Sequence, residues 1–145
     1  MATSAAPAFK AALHAACVAA FPAGTVQVCY GRPGAEPWAD DALALLDVDA
    51  TQAAAPMGTR AREETFTLTV LCSSFRAGGD EMQQVATEAA YGLLATLEGL
   101  LRTDPNVTGT VRKAEVVGHL LAEESYAQGR VAEVAAAIAV QARLT

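Results

Sequence analysis

Aromatic side chains are scarce in this sequence: one Trp, three Tyr and four Phe make up 6% of its 145 residues. A core built mostly from Ala, Val and Leu gains less per residue on burial, at roughly 25 cal/mol per Å² of apolar area. Association between subunits is therefore expected to add buried area. Cysteine is sparse too. Cys17, Cys29 and Cys72 are odd in number and widely spaced, which excludes a C-x-x-C metal or redox site and a complete disulfide framework. They read as small buried hydrophobes in a reducing compartment. Positive charge is also short. Ten Lys plus Arg against sixteen Asp plus Glu give a formal charge of -6, with no basic stripe anywhere, which argues against tight binding to nucleic-acid phosphates. Uninterrupted apolar runs of membrane-spanning length are missing, and the segment Met1 to Pro7 lacks the basic start and apolar run of a signal peptide. No membrane partner is expected, and synthesis in the cytoplasm is. There is no Gly-rich phosphate loop, G-x-S-x-G elbow or H-E-x-x-H helix, and the pair Gly78-Gly79 lacks the Lys of a phosphate-binding loop.

What is present is 52% apolar residues, inflated by Ala, on a length that suits one domain spanning 1–145 with a single core. Helical spacing of Phe9, Leu13, Cys17 and Phe21 after Pro7 predicts a first helix, stopped at Pro22 and Gly24. Alternation over Thr25 to Tyr30 predicts a strand. Trp38 to Asp49 predicts a second, paired with the first as a hairpin across Gly31 to Gly34. Ala50 to Glu64 shows no periodicity and contains Pro56 and Gly58, so it is expected to be a long exposed loop. Thr65 to Cys72 is a strand with Phe66, Leu68, Val70 and Cys72 on its core face.

Gly78, Gly79 and Asp80 read as a break and N-cap. A long helix follows, whose apolar face is Met82, Val85, Ala86, Ala89, Leu93, Leu97, Leu100 and Leu101, ending at Asp104-Pro105. Val111 to Glu123 is β-compatible. Arg130 to Leu144 fits both helix and strand spacing; strand is preferred because Glu133, Gln141 and Arg143 then share one polar face. The resulting order, α-β-β-β-α-β-β, predicts a two-layer α+β domain: a mostly antiparallel sheet with two helices packed on one face.

Candidate chemistry is thin. His14 and His119 have no second ligand at metal-like spacing. Asp40, Asp41, Asp47 and Asp49 could hold a hard divalent cation, but solvated edge charges are the better account. Glu123 and Glu124 are adjacent in a strand and so point to opposite faces, which disfavours a catalytic pair. Catalytic, cofactor and metal sites are all expected to be absent. Met57, Arg60 and Arg62 in the predicted loop are the candidate interface residues: Met57 offers apolar contact, and the two guanidinium groups suit bidentate pairing with carboxylates of a neighbouring chain. A merely solvated loop is the equal alternative.

The run Arg76 to Asp80 leads into a helix containing Ala90, Tyr91 and Gly92. The Asp104-Pro105 break follows, then two closing strands joined around Gly129, Arg130 and Val131. In layout, length and diffuse similarity over nearly the whole chain, this resembles the tail-terminator proteins of long-tailed bacteriophages, also called tail-completion or minor tail proteins. The resemblance implies a virion protein at the tail or neck that forms a ring, commonly a hexamer. Such a ring caps the head-proximal end of the tail tube, stops its polymerisation and meets the head connector or neck protein. The partners implied are copies of the chain itself, the tail-tube protein and that connector. DNA passes through the lumen without specific binding, which an acidic wall would favour. No catalysis is implied. Alternatives are another neck component (a head-tail joining or head-completion protein), a small oligomeric α+β enzyme with its site between subunits, and a ligand-binding module.

Overall fold

The hydrophobic face of the predicted Thr65 to Cys72 strand lies at the centre of the structure, and everything else is arranged about it. The computed structural model describes residues 3–34, 38–55 and 60–144. Its elements are α1 (Ala6–Ala20), β1 (Gln27–Cys29), β2 (Asp41–Ala54), β3 (Arg62–Ala77), α2 (Met82–Thr103), β4 (Lys113–Ser125) and β5 (Gly129–Leu144). The strands form one five-stranded sheet in the order β1-β2-β3-β5-β4. Every adjacent pair is antiparallel except β1 and β2. Both helices pack on the same face, so the predicted two-layer α+β architecture and its element order are observed.

The core follows from alternation in the strands meeting two apolar helical stripes. Leu43 and Leu45 of β2, Phe66, Leu68, Val70 and Cys72 of β3, and Val134, Ile138 and Val140 of β5 point toward the helices and are buried. From α1 they meet Phe9, Leu13 and Cys17, and Phe9 stands edge-on to Phe66 with ring centroids 5.5 Å apart. From α2 they meet Ala86, Ala90, Leu93, Leu94, Leu97 and Leu101. The buried stripe of α2 is therefore rotated slightly from the predicted one: Ala90 and Leu94 lie within it, whereas Val85 is exposed. Arg130 to Leu144 is strand, as its polar partition indicated. Its even-numbered residues from Ala132 to Leu144 are all buried. Among the described residues, no helix is long and apolar enough to cross a membrane.

Three expectations are corrected. The first two strands do not form a hairpin, because β1 runs parallel to β2 in the register Gln27 to Ala42 and Cys29 to Ala44. β1 is only three residues long, so the connection 30–40 is long enough to carry the chain back to the starting end before β2 begins, and turn residues alone did not reveal that return. Second, Ala50 to Glu64 is mostly strand. β2 and β3 continue as a ladder through Ala50 to Phe66, Thr51 to Thr65, Gln52 to Glu64 and Ala54 to Arg62. Just beyond the ladder, Ala55 N–H donates to the Ala61 carbonyl at 3.0 Å, and Pro56 and Gly58 lie outside the described residues. This half of β2 is exposed along its length, and without a buried face no alternation of apolar and polar residues is selected. Third, Asp80 does not cap α2. Glu81 occupies that position without a side-chain cap bond, and Asp80 instead accepts from Arg130 at 2.6 Å.

Among the described residues, one charged group is buried. Glu64 is 1% exposed and accepts hydrogen bonds from Ala5 N–H and from Gln52 Nε2, each at 2.8 Å. Gln52 Nε2 also donates to the Thr3 carbonyl at 2.7 Å. The start of α1 is thereby tied to the β2–β3 ladder.

Candidate interaction surfaces

Several of the candidate titratable side chains are buried or engaged with neighbours. Burial pushes the Cys17 thiol up to about 11; burial, with Cys17 as a further charge, pushes Cys72 up to about 12. Both stay protonated and inert. His14 stands edge-on to Tyr30 at 5.9 Å, and His119 edge-on to Tyr91 at 5.3 Å. Asp41 is held by Arg76 at 2.9 Å and by Ser74 Oγ at 2.8 Å. Glu123 accepts from Thr87 Oγ1 at 2.9 Å, and its neighbour Glu124 accepts from the Tyr126 hydroxyl, so the two acids engage different partners. No group of three or more His, Cys, Asp or Glu side chains that could hold a metal ion occurs among the described residues.

Among the described residues, three surfaces stand out as places for a partner. The sheet face opposite the helices carries a cross-strand row that runs through every strand: Cys29 beside Ala44, Ala44 beside Leu71, Leu71 beside Ala135, and Ala135 beside Leu120. Ala44 and Leu71 are buried within this row by Leu46 and their flanking neighbours. At its end Leu120, on edge strand β4, is 71% exposed, and nearby Val117 at the β4 bulge is 59% exposed. β4 is an edge strand of the sheet; the N–H of Ala114 near its start donates to the Pro105 carbonyl at 2.8 Å, and an edge of this kind can present its remaining backbone donors and acceptors to a partner.

The second surface lies at the end of the sheet where β2 begins. A hollow of 390 Å³ is lined by Trp38, Asp40, Phe75, Tyr126 and Glu133, among others. The backbone sets its shape: Phe75 N–H donates to the Asp40 carbonyl at 2.7 Å, and Ala39 N–H donates to Gln27 Oε1 at 2.8 Å. The hydrogen bond to Glu124, reinforced by that carboxylate's charge, raises the Tyr126 hydroxyl above its usual value and keeps it protonated.

The third surface is at the opposite end of the sheet and includes two of the three predicted interface residues. Arg60 and Arg62 line one shallow depression with Gln52, Ala53 and Ala54. Arg62 lies in β3 rather than in a loop and reaches Gln52 Oε1 at 3.4 Å. Met57 falls outside the described residues. The sequence reading missed the aromatic hollow, because Trp38, Phe75 and Tyr126 belong to three separate segments. It also missed the exposed edge, whose available signal was the adjacent pair Leu120-Leu121: consecutive strand residues face opposite sides, so one apolar side chain had to lie away from the core.

The fold is that of a two-layer α+β protein with a five-stranded mixed sheet. No protein-family model matches the chain, and no curated protein matches it either. Among solved structures it is similar to a chain described as "Virion of native gene transfer agent (GTA) particle", with a TM-score of 0.53 and 14% identity, covering 99% of this chain and 100% of that one. At that identity the similarity is one of fold.

Proposed function

We propose that this protein is a structural subunit of a phage-type virion, and specifically a tail terminator: a ring of identical subunits, six in number, at the head-proximal end of the tail tube. The observation that supports the virion role is the end-to-end likeness in fold to a chain described as from a gene transfer agent virion, over 99% of this chain and 100% of that one; the terminator assignment rests on the resemblance in layout and length seen in the sequence. The surfaces agree with it. A ring needs two different patches that meet by rotation, and here the ends of the sheet differ in chemistry while the helix-free face ends in exposed Leu120 and Val117. The excess of acidic side chains suits a lumen through which DNA slides without adhering. The neighbours are the tail-tube protein on one side and the head connector on the other.

The test is electron microscopy of particles made without this protein. Tails of uncontrolled length, separate from filled heads, are expected. Tails of normal length that fail to join heads would replace the terminator reading with that of another neck component, and normal joined particles would dismiss both.

A further inference from the structure

The hollow at the start of β2 has the chemistry of a receptor for a planar cation, and the opposite end of the same sheet carries such a cation. Trp38 and Tyr126 are part-exposed aromatic walls, Phe75 lies half-buried between the strands, and Asp40 and Glu133 contribute carboxylates. Among the described residues neither carboxylate takes part in a hydrogen bond or ion pair. The nearby acids Asp41 and Asp80 are already engaged by Arg76 and Arg130. Ring faces attract a cation through their quadrupole, and a guanidinium can stack on a ring while its edge meets a carboxylate. At the far end, Arg60 is exposed and likewise has no ion pair among the described residues. Its own hollow is out of reach. The ladder places Arg62 beside Ala54 at one end and Ser74 beside Asp41 at the other, a separation of about 40 Å at the rise of a strand.

We infer that the hollow formed by Trp38, Asp40, Phe75, Tyr126 and Glu133 receives Arg60 of a second copy of this chain. The contact is head to tail, joining unlike patches, so its repetition generates a closed ring when the rotation closes. It rests on the proposal that the chain assembles with itself, and names where the copies meet.

The test uses full-length protein, with native mass spectrometry and light scattering across a concentration series. Asp40→Arg and Arg60→Asp each place like charges at the contact, and each is expected to raise the midpoint concentration for assembly by at least about tenfold. Both positions are exposed, so the two variants should melt as the wild type does. An equimolar mixture of the two, and the double variant alone, should recover assembly, since the reversed hollow accepts the reversed arm. Trp38→Ala should weaken assembly without charge rescue. Single reversals that assemble like wild type, or a mixture that does not recover, overturn this contact and leave the terminator reading standing. A wild type that stays monomeric both alone and with tail tubes overturns both.

Discussion

The carboxylate of Glu64 accepts the backbone N–H of Ala5 at 2.8 Å, across 59 residues of sequence. Burial by itself would raise this carboxyl group. The bonds from Gln52, Ala5 and Ser4 outweigh that effect, and its pKa lies below the usual carboxylate value. A group depressed in the folded state contributes stability above its unfolded value of about 4.3, and that stability is lost as pH falls through the folded value. Urea unfolding at neutral and at strongly acidic pH should therefore show a larger acid loss in wild type than in Glu64→Gln. At neutral pH the variant should be less stable by about 1–3 kcal/mol, because Gln cannot accept from every donor now converging there. Equal pH profiles would remove Glu64 from the latch.

Leu97 is fully buried on the α2 stripe. Leu97→Ala should cost about 2–5 kcal/mol, read from urea midpoints. Leu97→Asp, like Leu93→Asp, should abolish folding, since an unpaired charge there costs several kcal/mol more than the core gains. Cooperative unfolding of either Asp variant near the wild-type midpoint would mean that α2 presents a different face.

Gly129 opens β5 where it runs against β3. A Cβ there would sit 2.4 Å from the Arg76 carbonyl oxygen and 2.7 Å from the Phe75 ring. The first contact is backbone, so it cannot swing aside, and Gly129→Ala should destabilise by about 1–3 kcal/mol. Circular dichroism with denaturant will measure it, and unchanged stability would show that the hairpin end can open freely.

Thiol accessibility separates the three cysteines. Cys17 and Cys72 are buried and Cys29 is half-buried. A thiol reagent should modify Cys29 first in the folded protein and reach the other two only as it unfolds. Peptide mapping that found Cys72 labelled early would contradict the sheet's placement at the centre of the core.

Leu120→Asp probes the β4 edge. Its side chain is 71% exposed, so the folded monomer should keep its melting temperature, with any stability change within about 0.5 kcal/mol. If the helix-free face meets a neighbouring subunit, the same change should block assembly. Assembly as in wild type would free this face from the interface.

Amphipathic patterning alone determined the element order, the two-layer α+β class and the buried sides of β3 and β5. Phe66, Leu68 and Val70 alternate with Thr, and Val134, Ile138 and Val140 face away from Glu133 and Gln141. A segment half in water and half in a core has to be written that way, so burial leaves its period in the residues. Where neither side of a strand is buried no period is written, and the outer half of β2 therefore read as loop until the ladder with β3 was seen. The parallel seating of β1, the bond from Ala5 to Glu64 and the convergence of Trp38, Phe75 and Tyr126 around one hollow were decided only by tertiary structure. Each depends on distances between residues remote in the chain, and the type of a residue does not say which distant partner the folded backbone will bring beside it.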